Sequence, residues 1–173
     1  MPCLYPYVVS SLPMLHFGAK PPFSFEKFLE LCRDLIPAQD IQVLERINFG
    51  KPSKDCQIIS RWLEFETTLK NELVKIRAVR KKIDPAKYLR PDECAGIGLH
   101  HVALAAQRNP SPLEAEKILD HERWNFLDEL SFGHYFDLSC LIIYAYKLLI
   151  LERWEKIRNA DREQLLEGLI TKE

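Results

Sequence analysis

Residues 137–151 read DLSCLIIYAYKLLIL, and after the first residue nearly every position in this stretch is apolar. Ser139 and Lys147 are the main exceptions. A helix that is apolar on almost every side is stable only when other helices surround it, because exposed apolar surface is unfavourable in water. Asp137 is a residue of the type that caps a helix N-terminus. We therefore interpret 137–158 as a central helix around which the rest of the chain packs.

The stretch just before it has the pattern of a one-sided helix. Ser111, Pro112 and Glu114 place a hydroxyl at the N-cap, a proline at the first helical position and a carboxylate where a capping box requires one. Apolar residues then recur at spacings that favour a single helix face: Ala115, Ile118, Leu119, Phe126, Leu127 and Leu130. Gly133 ends this pattern, since glycine tolerates the left-handed turn that often follows a helix.

Three helices are predicted in the first half of the chain. Ser24 caps one over 24–35, and a second short helix covers 37–50. The longest predicted helix covers 55–83. Its apolar residues repeat at three- and four-residue spacing, close to a coiled-coil seam: Ile58, Trp62, Phe65, Leu69, Leu73, Ile76 and Val79.

The N-terminal segment 1–23 is dense in proline and aromatic side chains. Prolines at this density exclude a regular helix through the segment and favour extended or turn backbone. The segment is nevertheless too apolar for a disordered tail. We therefore predict an ordered strap laid across a helix surface, with a short strand or helical turn at 7–11. Four of its aromatic side chains are candidate partner-binding residues: Tyr5, Tyr7, Phe17 and Phe23.

Two shorter helices complete the prediction, one rich in small residues over 92–107 and a last one that Asp161 caps, over 161–169. No convincing series of alternating strands is present. The predicted fold class is therefore all-α, a helical bundle with an extended Pro/aromatic-rich N-terminal strap. We expect a single helical domain over 1–173, made of the strap and two helical halves: 1–23, 24–83 and 92–170.

Composition restricts the function further. The net charge of −1 provides no global field for nucleic acid, and five scattered cysteines without a C-x-x-C pair indicate reduced thiols in a cytosolic protein. The longest apolar run is too short to cross a bilayer, and the N-terminus lacks the pattern of a secretory signal. We predict a soluble, cytoplasmic protein that does not bind nucleic acid and does not insert directly into a membrane.

Histidines and acids between 100 and 134 are the candidates for catalysis or metal binding. The adjacent His100 and His101 point about 100° apart on a helix, so they cannot readily share one ion. The Glu-x-x-His pairs of bundled di-metal sites are missing, as are a nucleophile elbow and a glycine-rich phosphate loop. We predict no catalytic, cofactor-binding or metal-binding residues. A metal-dependent helical-bundle enzyme that uses the His, Asp and Glu residues of 100–134 stays as an alternative.

A basic run closes the longest predicted helix and is the one notable charge feature. It contains Arg77, Arg80, Lys81 and Lys82. Cations in a last turn complement the helix dipole, which would make this run an ordinary solvated helix end. The functional alternative is a surface for an acidic partner, and we predict these four residues as partner-binding residues.

Several runs resemble a bacterial family of unknown function. They are YVVSSLPML at 7–15, FLELC at 28–32, WLEFE at 62–66, ELSFGHYFD at 129–137, YAYKL at 144–148 and LERW at 151–154. The run at 129–137 is the most distinctive of them. Together these segments are spread over most of the chain.

Genes of the family that the chain resembles lie in operons for bacterial V/A-type ATPases. The run 144–153 is also distantly similar to the last helix of the V-type C/d subunit, an all-helical socket that couples the rotating stalk to the membrane ring. The resemblance implies a non-catalytic accessory or stalk-associated subunit without a cofactor. Its partners would be soluble V/A-ATPase subunits, the rotor stalk first, which would hold it peripheral to the membrane through the complex. A general helical adaptor is the other alternative, and the oligomeric state stays open.

Overall fold

A computed structural model describes residues 4–48, 56–91 and 98–170, with only the backbone described for residue 48 and for 161–170. Within these residues all regular structure is helical, which confirms the all-α prediction. The helices are α1 (Tyr5–Ser11), α2 (Phe25–Cys32), α3 (Ala38–Asn48), α4 (Gln57–Lys81), a 3₁₀ helix (Pro85–Tyr88), α5 (His100–Arg108), α6 (Pro112–Leu130) and α7 (Leu138–Ile170). No helix in the described ranges is long and apolar enough to span a membrane.

The chain folds as two compact units, and the sequence of one is inserted between the two segments of the other. The terminal unit combines 1–52 with 131–173, and the middle unit consists of 53–130. The terminal unit therefore contains α1, α2, α3 and α7, and the middle unit contains α4, α5 and α6. This division differs from the predicted halves 24–83 and 92–170, because α7 packs with helices from the opposite end of the chain.

α7 is the core of the terminal unit, and α1, α2 and α3 all pack against it. Its buried side chains point in nearly every direction around the helix: Leu141, Ile142, Ile143, Ala145, Tyr146, Leu148, Ile150, Leu151 and Trp154. The helix predicted over 137–158 is thus present and buried. The helices that the structure shows packed around it are α1, α2 and α3 of the terminal unit.

The separate last helix that we predicted from Asp161 is wrong, because α7 continues without a break to Ile170. The sequence between Arg158 and Asp161 contains no proline or glycine, so an established helix propagates through it at little cost. With 33 residues, α7 is also longer than the 25-residue α4, which we had predicted to be the longest helix.

Asp137 caps α7 as predicted. Its Oδ1 accepts the Cys140 backbone N–H at 2.9 Å, and its Oδ2 lies 2.6 Å from His134 Nδ1. Gly133 supplies the left-handed conformation, with φ +87°, in the turn between α6 and α7. The His134 backbone N–H closes this turn by donating to the Ser131 carbonyl at 3.0 Å.

The strap lies on α7, and side chains of α7 hold it by donating hydrogen bonds to the backbone carbonyls of the strap. The Tyr144 hydroxyl donates to the Pro13 carbonyl at 3.0 Å, and the Arg158 guanidinium donates to the carbonyls of Gly18 (3.1 Å) and Ala19 (3.3 Å). From residue 12 to 24 the backbone is irregular, as predicted for an extended strap. Before it, residues 5–11 form α1. For 7–11 we had predicted either a short strand or a helical turn, and the structure has the helix.

In the middle unit, α5 packs against both α4 and α6. Aromatic rings join α4 to α6: Phe65 stacks on Phe126 with ring centroids 4.1 Å apart, and the Trp62 ring lies 6.4 Å from that of Phe126. The helix predicted over 92–107 starts later than predicted, at His100, because the described Gly98 and Leu99 are not helical; 92–97 lie outside the described residues. The predicted start of the 55–83 helix, Asp55, is likewise outside.

The capping box predicted at the start of α6 is only half formed. Ser111 Oγ accepts the Glu114 backbone N–H at 3.4 Å, as a cap should. The Ser111 backbone N–H, however, donates to Asn109 Oδ1 at 3.0 Å instead of to the Glu114 side chain. An Asn two residues earlier reaches this N–H through a tight local turn, and so takes the place of the reciprocal carboxylate.

A buried ion cluster also links α4 to α6. Arg123 Nε donates to Glu66 Oε1 at 2.5 Å, and Arg123 Nη1 donates to Asp120 Oδ1 at 2.8 Å. The Asp120 side chain is 1% exposed, and the side chains of Arg123 and Glu66 are each 14% exposed. Burial by itself would raise the pKa of Glu66, but Arg123 beside it and Lys70 together hold that pKa below its ordinary value.

Candidate protein-interaction site

The cationic end of α4, defined by Arg77, Arg80, Lys81 and Lys82, is exposed throughout. None of the four side chains forms an ion pair or a hydrogen bond with another residue in the described part of the chain. Upstream on the same helix the cations are engaged, since Lys70 pairs with Glu66 at 3.0 Å and Lys75 with Glu72 at 2.6 Å. Unengaged cations at a helix end are available to a carboxylate-bearing partner.

Apolar side chains are exposed beside these cations. Val79 is 78% exposed, Ile83 45% and Tyr88 60%. The prediction that Val79 belongs to the buried seam is therefore wrong. A repeat of 3.5 residues drifts by about 20° per heptad on a straight helix, so over three heptads from Ile58 the seam turns by about 60°. Val79 is thereby carried out of the packed face, and it joins the cations on the surface.

The backbone at this helix end adopts the left-handed conformation at Lys82, with φ 55° and ψ 42°. The Lys82 N–H donates to the Val79 carbonyl (3.2 Å) and the Ile83 N–H donates to the Ala78 carbonyl (3.1 Å), which is the Schellman pattern. Glycine is the residue favoured at such a position, because a side chain there crowds the following carbonyl. Lys82 thus adds a cation to the surface at a cost in backbone strain.

Replacing Lys82 by glycine should therefore stabilise the protein by about 1 kcal/mol, because the strain at positive φ is removed. Urea unfolding followed by circular dichroism measures the change. Lys81→Gly is the matched control, since it removes the same charge from the adjacent, helical position and should destabilise by about 1 kcal/mol. Equal effects of the two substitutions would contradict the left-handed assignment of Lys82.

The segment after α4 is held in place by a buried amide. Asn71 is 4% exposed, and its side chain forms two hydrogen bonds with the backbone of Arg90, each 2.9 Å long. Asp84 Oδ1 accepts the Ala86 N–H at 3.0 Å and so begins the 3₁₀ helix that carries Tyr88. Tyr88 therefore stands on a fixed segment that packs on α4.

The four aromatic residues predicted for partner binding on the strap are in different surroundings. Tyr5 is half-buried and its hydroxyl donates to the Asp40 carboxylate, while the Phe23 ring lies 6.4 Å from that of Tyr144. Phe17 is also half-buried, whereas Tyr7 is 64% exposed. Tyr7 is the residue of the four whose side chain is mainly in solvent.

The histidines of the predicted alternative metal site have separate neighbours. His100 Nδ1 lies 3.0 Å from Glu72 Oε2, His121 Nδ1 lies 3.2 Å from Asn125 Nδ2, and His134 faces Asp137. His101 is exposed on α5. Among the residues that the structure describes, no three His, Cys, Asp or Glu side chains are grouped so that they could hold a metal ion.

The described cysteines have the properties of packing residues. Cys32 is fully buried, and burial raises the pKa of its thiol to about 12. The pKa of Cys140 is also raised, first by burial and then by the nearby Asp137 carboxylate. A thiol with a raised pKa carries little of the thiolate that attacks a substrate.

A second exposed surface, which the sequence patterns did not reveal, lies in the turn between α6 and α7. Phe132 is 87% exposed, Tyr135 63% and Phe136 55%. Their apolar character resembled that of core residues, and no periodicity distinguished them in so short a segment. The helix-breaking signal at Gly133 was the available indication that these aromatics lie on a turn.

Comparison with protein-family models gives a match over the second half of the chain. A family model described as "Protein of unknown function (DUF2764)" matches residues 97–172, which include the distinctive run at 129–137. No curated protein matches the chain. No solved structure matches it either.

Proposed function

We propose that this chain is a non-catalytic accessory or stalk-associated subunit of a bacterial V/A-type ATPase, which acts through protein–protein contacts. The observation that carries the proposal is the cationic end of α4, whose four side chains have no ion-pair partner among the residues that the structure describes. Val79 and Ile83 are exposed within and just after this run, and Tyr88 is exposed on the 3₁₀ helix that packs on α4. Arginine and aromatic side chains are enriched in protein interfaces, and this surface contains both types.

The identity of the partner rests on the sequence resemblance. The runs that carry it resemble a family whose genes accompany those of V/A-type ATPases, and 144–153 is similar to the last helix of the C/d subunit. An all-α chain is compatible with that similarity. We propose soluble ATPase subunits as partners, the rotor stalk first, and hence a cytoplasmic location peripheral to the membrane.

A general helical adaptor unrelated to the ATPase is the second candidate function. Exposed Tyr7 and the aromatic turn with Phe132, Tyr135 and Phe136 favour it, because they offer docking surfaces apart from the cationic end of α4. An adaptor of this kind would bind other proteins and leave the ATPase subunits unbound.

Binding to purified soluble subunits of the V/A-type ATPase from the same cell tests the proposal. The rotor stalk is immobilised first, and association is followed by biolayer interferometry at low and moderate salt. We expect association to slow as salt rises, since exposed charges mainly set the association rate. Arg80→Glu combined with Lys81→Glu should slow association by about tenfold while the helical circular dichroism spectrum is unchanged.

The matched control combines Arg46→Glu with Lys156→Glu, which changes the net charge equally at exposed positions of the terminal unit. This variant should associate nearly as fast as the unmodified protein. If the unmodified protein binds no ATPase subunit or subcomplex at micromolar concentration, the proposed function is wrong. If the Arg80/Lys81 and the Arg46/Lys156 reversals slow association equally, the interface does not lie at the cationic end of α4.

A further inference from the structure

A groove in the middle unit adjoins the cationic end of α4. Its volume is about 290 Å³, and the last turns of α4 and α5 together with the first turns of α6 form its walls. Apolar side chains line part of it: Leu73, Ala106, Ala115 and Leu119. Ala106 and Leu119 are each 4% exposed, so this part of the lining is itself supported by the packed interior. A space of this size holds a few side chains of a binding partner.

Charged groups line the remainder of the groove. Arg77 and Arg80 lie one turn apart on α4, and Glu116 contributes a carboxylate from α6. Two guanidinium groups and one carboxylate leave the lining with a net charge of +1. Gln107 and Asn109 add neutral polar groups. The lining therefore complements a single negative charge next to an apolar group.

We propose that this groove binds a helical segment of a partner protein through one carboxylate and one apolar side chain, placed a helical turn apart. The carboxylate pairs with Arg77 and Arg80, whose planar guanidinium groups suit the two oxygens of a carboxylate. The apolar side chain lies against Leu73 and Leu119. The inference rests on the proposed function for the identity of the partner, but the chemistry of the groove does not depend on it.

The same lining disfavours phosphate as the recognised group. A phosphomonoester carries a charge of about −1.5 to −2 near neutral pH, more than the net +1 of the lining neutralises. The apolar part of the groove would also stay empty against a phosphate. A Glu or Asp beside a Leu-like side chain satisfies both parts of the lining.

Short stapled alanine-based helical peptides test this inference on the full-length protein. The first carries one Glu and one Leu four residues apart, the second replaces the Glu by Gln, and the third replaces the Leu by Ala. Methyl resonances of Leu73, Ala106, Ala115 and Leu119 report binding in NMR titrations. We expect the first peptide to shift these resonances and the other two to bind about tenfold more weakly, as charge-assisted pairing and apolar burial are lost.

Variants of the protein locate the contact. Arg77→Gln and Arg80→Gln should each abolish the preference for Glu over Gln in the peptide, whereas Lys81→Gln, which removes an equal charge outside the groove lining, should keep it. No shift of the four residues at millimolar peptide, or equal binding of all three peptides, would overturn the inference.

The outcomes also separate this inference from the proposed function. Peptide binding in the groove without binding of any ATPase subunit would leave the inference standing and the proposed function wrong. If no peptide shifts the groove resonances, and binding to the rotor stalk survives Arg77→Gln and Arg80→Gln, the inference is wrong and the proposed function stands.

Discussion

Replacing Arg123 by methionine is expected to destabilise the middle unit by about 3–5 kcal/mol, because the Glu66 and Asp120 carboxylates then lose the guanidinium group that both accept from, and Lys70 is the cation that stays beside Glu66. Arg123 donates to both of them, and Asp120 is buried completely. Methionine fills most of the volume of the arginine stem, so the loss reports mainly the lost contacts between the guanidinium and the two carboxylates. Urea unfolding, followed by circular dichroism and by amide hydrogen exchange in α4 and α6, measures it.

Arg61→Met is the matched control, since Arg61 is an exposed residue of α4 in the same unit. We expect it to change the free energy of unfolding by less than about 0.5 kcal/mol. Adding Glu66→Gln and Asp120→Asn to Arg123→Met should recover much of the loss, because no charge then stays buried alone. If Arg123→Met and Arg61→Met had similar effects, the cluster would contribute nothing specific to stability.

The cost of Arg123→Met should depend on pH. In the unmodified protein the pKa of Glu66 is lowered, so the stability that this residue contributes is present above its unfolded pKa of about 4.3 and is lost as pH falls through the lowered value. Without Arg123, burial is opposed by Lys70 but no longer by the guanidinium, so the pKa of Glu66 is higher than in the unmodified protein and protonation relieves the variant at a higher pH. The difference in unfolding free energy between the two proteins should be largest near pH 7 and shrink toward pH 4.

Leu141→Ala is expected to destabilise the terminal unit by about 2–5 kcal/mol, since truncating a fully buried leucine leaves a cavity at the start of the helix that α1, α2 and α3 pack on. Removing the cap by Asp137→Ala should cost about 1 kcal/mol, because the Cys140 N–H loses its acceptor. Urea unfolding and hydrogen exchange of the α7 amides distinguish the two effects.

Leu31→Ala provides the control for Leu141→Ala, because Leu31 is a leucine of the same unit at a 36% exposed position of α2. Its truncation removes the same atoms but leaves no enclosed cavity, so we expect a loss below about 1 kcal/mol. Equally small losses from Leu141→Ala and Asp137→Ala would show that the first turns of α7 are neither packed nor capped as the structure has them.

Much of the helical structure was predictable because it depends on residues close together in the chain. Ser24 accepts the Lys27 N–H at 3.2 Å and Asp137 accepts the Cys140 N–H, so these two predicted caps are confirmed. The candidate site was predictable only in part. The charges at the cationic end of α4 are visible as a run of letters, but the exposure of Val79 depends on how the seam drifts out of the packed face.

The sequence by itself determined that the chain is helical, where most helices begin, and that cations cluster at the end of α4. Caps, spacings of three and four residues, and helix-breaking glycine or proline act within one or two turns, so they can be recognised without knowing the fold. Only the tertiary structure decided that α7 joins α1–α3 in one unit, and that Arg123 meets Glu66, a residue 57 positions earlier. Such contacts form because helices distant in sequence must bury their apolar faces together, and no local pattern specifies which faces meet.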